Sequence, residues 1–219
     1  MILDPATPQV NRRPYDSSAR VARARRSREA VLEAARVRFL DRGVDGTSIA
    51  AVADDAGVSV DTVYKAFRNK AGLLRALCER ALEGAGSVPA EARSDELQER
   101  ELDGRAVLRG LGTLTAEVAP RIAPMLLLLP AAGASELGQL RAELDAARLE
   151  RMTQVAERLT RYRHLRPGIT VQEAAEVLWT YSSPELFGLL VVARGWTPER
   201  YGRFIGDALT CALLEEHPG

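Results

Sequence analysis

Between Thr47 and Phe67 the chain carries two short helical patterns on either side of a four-residue turn, Ala56-Gly57-Val58-Ser59. In the first, Ile49, Val52, Ala53 and Ala56 share one face; in the second, Val63, Tyr64 and Phe67 do. Stripes this short cannot form a core alone, so the two helices must cross tightly and share a third element. Gly57 permits the left-handed backbone that such a turn needs, and Val58 can plug the space between the helices. Ser59 suits the N-cap of the second helix, expected over 60–67, and Thr47 that of the first, expected over 48–56.

The flanking sequence supplies the third element. Val31, Ala35 and Phe39 recur at i, i+4 and i+8 before Gly43, which predicts a helix over 27–42. After the polar turn Arg68-Asn69-Lys70 a further helix is expected over 71–83. Downstream, helical segments are expected near 104–118, 121–129, 135–163, 171–182, 184–194 and 198–215, separated by Pro120, Pro130, Pro167-Gly168, Pro184 and Pro198. Thr170 with Glu173 reads as a capping box, and Ser183-Pro184 and Thr197-Pro198 each place a capping hydroxyl before a proline at the first helical position. No alternation of strand period is sustained anywhere, so the fold class is all-α. The expected organisation is a basic arm over 1–22, a helix-turn-helix domain over 23–85 and a larger helical domain over 86–219. Residues 84–104, with Gly84, Gly86 and Pro89, read as a loop or short helix between them.

Charge is distributed unevenly. The chain is neutral overall, but residues 1–75 hold 14 Lys and Arg against 9 Asp and Glu, and residues 76–219 hold 16 against 21. Arg12, Arg13, Arg20, Arg23, Arg25, Arg26 and Arg28 fall in a stretch, 12–28, whose one acid is Asp16. A basic amino-terminal third suits phosphate, and a helix-turn-helix lays its second helix in the major groove. On that helix Val60 can touch a thymine methyl, Thr62 and Ser59 can donate to phosphates or base edges, and Lys65 can reach guanine acceptors. Tyr64 can bury its ring and send its hydroxyl to a phosphate. Asp61 repels phosphate, and its place near the helix start points to a capping role. Thr47 and Ser48 at the start of the first helix complete the candidate DNA contacts with Lys70, whose ammonium stands beside the positive end of the following helix.

Read in order, Thr47-Ser-Ile-Ala-Ala-Val-Ala-Asp-Asp-Ala-Gly-Val-Ser-Val-Asp-Thr-Val-Tyr-Lys-Ala-Phe-Arg-Asn-Lys-Ala-Gly-Leu-Leu74 resembles the DNA-binding signature of TetR-family repressors. The family's capping Thr, Val-Ala pair, Ala-Gly-Val-Ser turn, Tyr and Phe three apart, and Lys before Leu-Leu are filled by Thr47, Val52-Ala53, Ala56 to Ser59, Tyr64, Phe67, Lys70 and Leu73-Leu74. Val60-Asp61 departs from the basic or small pair common there. The resemblance implies a homodimer that binds double-stranded operator DNA, a palindromic site from which a small-molecule effector releases it, and a four-helix bundle made by the last two helices of each copy. The alternatives are a helical protein-interaction module and an effector-independent regulator.

For the dimer contact, the segment 184–194 is apolar nearly all round, and the last helix carries a wide stripe. Leu186, Leu190, Tyr201, Phe204, Ile205, Ala208, Leu209 and Ala212 are the candidates, with packing inside one chain as the other reading. For an effector pocket, Met125, Leu126, Met152, Trp179 and Tyr181 are candidates, and core packing again is the alternative.

Other functions find little support. His164 and His217 are the only histidines, no nucleophile, metal or nucleotide motif occurs, and no cofactor is expected. Cys78 and Cys211 lack metal or redox spacing and read as two buried free thiols. The chain start lacks a signal-peptide pattern, and the densest apolar run, Met125 to Leu129, is far short of the ~20 residues that span a bilayer. A cytoplasmic protein without membrane contact is expected.

Overall fold

Helix starts are set locally, by hydroxyl side chains that accept from the first free N–H groups. Ser48, Ser59, Ser135, Thr170, Ser183 and Thr197 all do so, and Thr170 with Glu173 forms the full capping box. The computed structural model describes residues 17–83, 90–100, 103–131 and 133–215. In order come α1 (Ser17–Arg42), α2 (Ile49–Asp55), α3 (Val60–Phe67), α4 (Lys70–Glu83), α5 (Ala90–Arg100), α6 (Gly104–Leu126), α7 (Glu136–Arg161), α8 (Val171–Tyr181), α9 (Pro184–Phe187) and α10 (Pro198–Leu213). Gly188–Val192 continues α9 as a π-helical turn. The fold is all-α: among the described residues the one extended pairing is an isolated bridge between Leu165 and Leu214.

The structure differs from the sequence reading in three places. Helix α1 begins at Ser17, so residues 17–22 are helical, not arm. Ala19, Arg20 and Ala22 in that stretch are good helix formers, and adding residues to a helix already nucleated costs little. The arm's Arg12 and Arg13 lie outside the described residues, as do Gly84, Gly86 and Pro89. Helix α6 runs through Pro120, which was expected to divide it, and through Pro124 as well. A buried proline-containing helix persists when packing on both flanks outweighs the lost hydrogen bond, and α6 is packed along its whole length. Cys78 is buried, but Cys211 is exposed.

Two apolar clusters form the interior. In the first, Val31, Leu32, Ala35 and Phe39 of α1 meet Val52, Val63 and Phe67 of the helix-turn-helix and Leu73, Leu74 and Leu77 of α4. Met125 and Leu126 at the end of α6, Leu129 beyond it and Leu140 of α7 belong to this same cluster. The second gathers Val107 and Leu108 of α6, Val155 and Leu159 of α7, Leu178 of α8 and Tyr201, Ile205, Leu209 and Leu213 of α10. Helix α6 therefore has one end in each core, so a displacement of α6 is felt by both. Where α6 crosses α10 the backbones nearly touch: a methyl on Gly112 would stand 2.3 Å from the Gly202 carbonyl oxygen and 2.8 Å from the Gly206 nitrogen.

Candidate DNA-binding surface

Helix α3 is anchored by its inner face and presents the rest. Val63 and Phe67 are buried, while Val60, Asp61, Thr62, Tyr64, Lys65 and Ala66 are exposed. The turn before it has Gly57 at φ +64°, with the Val58 N–H donating to the Ala53 carbonyl at 3.0 Å. Ser59 Oγ accepts from the Thr62 N–H at 3.2 Å, and the two hydroxyls lie 2.8 Å apart. One hydroxyl proton serves that contact, which leaves the other free to donate outward. The Tyr64 ring, expected to bury itself, is 50% exposed.

Asp61 does not cap the helix. Its Oδ2 lies 2.7 Å from Lys65 Nζ, a pair one turn apart on the outer face. The Asp61 carboxylate thereby holds the Lys65 ammonium above its ordinary pKa, first through the hydrogen bond and then through charge. The one cation of α3 is thus already paired on the outer face of the helix.

Thr47 is neither the cap nor a surface group. Ser48 caps α2, accepting from the Ala51 N–H at 3.1 Å. The Thr47 hydroxyl is turned inward and donates to the Gly43 carbonyl at 2.9 Å, with the Arg38 carbonyl at 3.2 Å, so it satisfies the open end of α1. Only 2% of the residue is exposed, which removes it from the candidate contacts. Arg38 then clamps Asp55 with two nitrogens, at 2.5 and 2.7 Å, fixing α2 against α1.

Lys70 opens α4, and its Nζ donates to the Val44 carbonyl at 2.8 Å. One of its three N–H groups thus ties the start of α4 to the loop after α1, and the side chain is half-buried. Asn69 accepts from the Gly72 N–H at 2.8 Å and donates to Glu136 at 2.9 Å. Gly72, which sequence reasoning did not single out, is required because a methyl there would stand 1.9 Å from the Phe67 carbonyl oxygen.

The extended α1 adds a basic wall. Arg20, Arg23 and Arg28 of α1 face Thr62 and Phe67 of α3 across a groove of about 340 Å³, and the Arg28 guanidinium lies 4.6 Å from the centre of the Phe67 ring. Arg20, taken from sequence as part of the basic arm, is thus held on a helix beside α3 together with Arg23 and Arg28.

In the carboxy-terminal half, a cavity of about 220 Å³ lies between α6 and α7, with Leu82 of α4, Ser94 of α5 and Ser182 at its edges. Leu126 and Met152 line it, as expected. Met125, Trp179 and Tyr181 do not. Met125 faces the amino-terminal core; Trp179 stacks under Arg148 and donates to the Asp145 carbonyl at 3.2 Å; Tyr181 packs on Phe204. Of the eight residues proposed for a dimer contact, Tyr201, Ile205 and Leu209 are buried in their own chain and cannot meet a partner. Their stripe is covered by α6. Leu186, Leu190, Ala208 and Ala212 are half-buried, and Phe204 is exposed together with Leu189 and Val192 of the apolar 184–194 segment.

Residues 31–77 match the family model of the bacterial regulatory proteins, tetR family. No curated protein matches the chain by sequence. Among solved structures, NalD of Pseudomonas aeruginosa, the secondary repressor of the MexAB-OprM multidrug efflux pump, superimposes with a TM-score of 0.68 at 22% identity, covering 89% of this chain and 100% of that one. The triclosan complex of SmeT gives 0.65 at 21% identity, over 87% and 92%. The fatty acid degradation regulator FadR of Bacillus halodurans gives 0.69 at 15%, over 84% and 94%. At these identities the three share the fold, and the family likeness is confined to the match over residues 31–77, from within α1 into α4. Residues 31–77 are thus similar to the tetR family of bacterial regulatory proteins, and the chain carries that match on the all-helical fold of these structures.

Proposed function

We propose that this chain is a homodimeric repressor that lays α3 of each copy in successive major grooves of a pseudo-palindromic operator, and that a small molecule in the α6–α7 cavity releases it. The observation that carries this reading is the tetR-family domain itself, with α3 pinned by Val63 and Phe67 and its outer face open. Val60, Thr62 and Tyr64 are its base- and phosphate-reading groups, Ser48 and Ser59 add donors at the helix starts, and Lys70 positions α4 and contributes its remaining N–H groups to phosphate. Arg20, Arg23 and Arg28 extend the contact along the backbone on the flank of α3. The recurrence of repressors in the solved relatives supports the direction of regulation.

A second copy covers the exposed apolar face of Leu189, Val192 and Phe204, since patches of this kind mark contact sites. A two-fold dimer then sets the recognition helices about 34 Å apart, one DNA turn. Ligand in the cavity bears on α6, whose far end lies in the core shared by α1 to α4. A molecule that binds better in a conformation with another helix spacing draws the population away from DNA.

The test is a fluorescence-anisotropy titration of the full chain against the DNA upstream of its own gene, at low and moderate salt. Saturable binding that survives competitor DNA is expected, and Phe204→Glu should yield monomers with lost operator affinity. Absence of binding to any DNA at low salt would overturn the proposal.

A further inference from the structure

The cavity between α6 and α7 has a one-sided chemistry. Its walls are apolar, with Leu111, Val118, Ile122 and Leu144 among them, and its charged groups are Arg148 and Arg151, one turn apart on α7. No carboxylate of the described residues lines it. The acids that accompany these arginines lie outside the lining: Arg148 Nη2 donates to Asp145 at 3.0 Å, and Arg151 Nη1 to Asp95 at 2.9 Å.

Arg148 is held as a fixed donor. Its Nη1 donates to the Trp179 carbonyl at 2.5 Å, with Ser182 Oγ at 3.3 Å, and the guanidinium stacks 4.5 Å from the Trp179 ring centre. These bonds use three of the five N–H groups that a guanidinium carries. Burial is the main cause that lowers the Arg148 pKa, so its charge is poorly solvated and gains from an added anion. A guanidinium presented in this way matches the two oxygens of a carboxylate.

We infer that the cavity takes a small amphipathic anion, an apolar body with one carboxylate-type head group set against Arg148 and Arg151. A cationic ligand would meet two guanidiniums and no carboxylate. The volume of about 220 Å³ lies below the ~300–1,000 Å³ of most small-molecule sites, so the body is short. The inference rests on the reading of this cavity as the effector site, and the same residues give the ligand a hold on the DNA-binding half. Asp145, the partner of Arg148, also binds Arg141 at 2.7 Å, and Arg141 donates to the Leu126 carbonyl at 3.2 Å. Leu126 belongs to the amino-terminal core and also lines the cavity. A head group that draws on Arg148 therefore loads a chain of bonds ending in that core.

The experiment titrates octanoate, 1-octanol and octylammonium into the full-length protein at neutral pH, by calorimetry and thermal shift. One apolar body is thus offered with three head charges. Octanoate should bind at least tenfold more tightly than octanol, and octylammonium more weakly than either. Arg151→Gln and, separately, Arg148→Met should remove the preference for octanoate over octanol while octanol binding holds. Should Arg148→Met fail to fold, Arg151→Gln and the wild-type series still decide. Octanol equal to octanoate, tightest binding by octylammonium, no binding by any probe, or both variants keeping the preference would overturn the inference. Operator binding measured in the same samples separates the two readings. Octanoate bound with head-group preference but without effect on DNA refutes the effector role and keeps the ligand class; release by octanol or octylammonium alone does the reverse.

Discussion

Asp61→Asn frees the one lysine on the outer face of α3. In the native chain the Asp61 carboxylate holds Lys65 Nζ at 2.7 Å, and both side chains are more than two-thirds exposed. DNA binding must either break this pair or leave Lys65 half-neutralised near the phosphates. With asparagine at 61 the ammonium is released and a repelling charge is removed. Each phosphate neutralised steepens the dependence of log K on log salt by about 0.9. One freed lysine per half-site therefore adds about 0.9, or about 1.8 for a dimer on two half-sites. Over a fourfold change in salt this is roughly a 3-fold extra loss of affinity per half-site and about 12-fold for the whole operator. The variant should bind more tightly than the native protein at about 50 mM salt and lose that advantage towards about 200 mM. Anisotropy titrations on the operator at four or five salt concentrations measure the slope directly, and helical circular dichroism checks that α3 keeps its start without the first-turn acid. Unchanged slope and affinity would refute the idea that Asp61 restrains Lys65. Weaker binding confined to operators with one particular base pair would show that Asp61 instead accepts from a cytosine amino group.

Other outcomes follow from the same geometry. Gly112→Ala sets a methyl 2.3 Å from the Gly202 carbonyl oxygen; overpacking of about 1–3 kcal/mol outweighs the ~1 kcal/mol gained in helix propensity, and Tm should fall by several degrees, whereas a rise would show that the α6–α10 crossing is loose. Tyr201→Phe should raise stability by about 1 kcal/mol in urea unfolding, because the buried hydroxyl makes no hydrogen bond within the protein. Cys78 is buried and its thiol is pushed up to about 12 by desolvation, so it should resist thiol reagents at pH 8 until the chain unfolds. Its folded pKa stands above its ordinary value of 9.0, so the stability tied to the neutral thiol is complete below that pH and is lost as pH rises towards about 12. Urea midpoints of native and Cys78→Ala protein should accordingly diverge between pH 8 and pH 11. Thr62→Ala should alter operator preference and Arg23→Ala weaken all DNA alike, as competition with varied operators will report.

Local chemistry was legible in the sequence because it acts within a few residues. Ser59 accepts from an N–H three positions on, Thr170 and Glu173 satisfy each other, Gly57 relieves its own backbone, and proline after Ser183 and Thr197 starts a helix whatever surrounds it. The same reach explains why the helix-turn-helix and its likeness to the tetR family can be read from about thirty residues. Matters of partnership were not legible. An apolar stripe on α10 shows that something covers Tyr201, Ile205 and Leu209, and only the packing shows that it is α6 of the same chain. Thr47 has the chemistry of a cap, yet the open carbonyls at the end of α1 claim its hydroxyl. Asp61 could cap, read a base or pair, and the rotamer that reaches Lys65 decides among these. Pro120 ends a helix that stands alone, but not one packed along its length between two cores. The sequence by itself thus determined where helices start and which short helix keeps its outer face open, since those choices rest on contacts within a turn or two. The tertiary structure alone decided which faces are covered, which arginines meet in the cavity and how α6 joins both cores, since those depend on residues far apart in the chain.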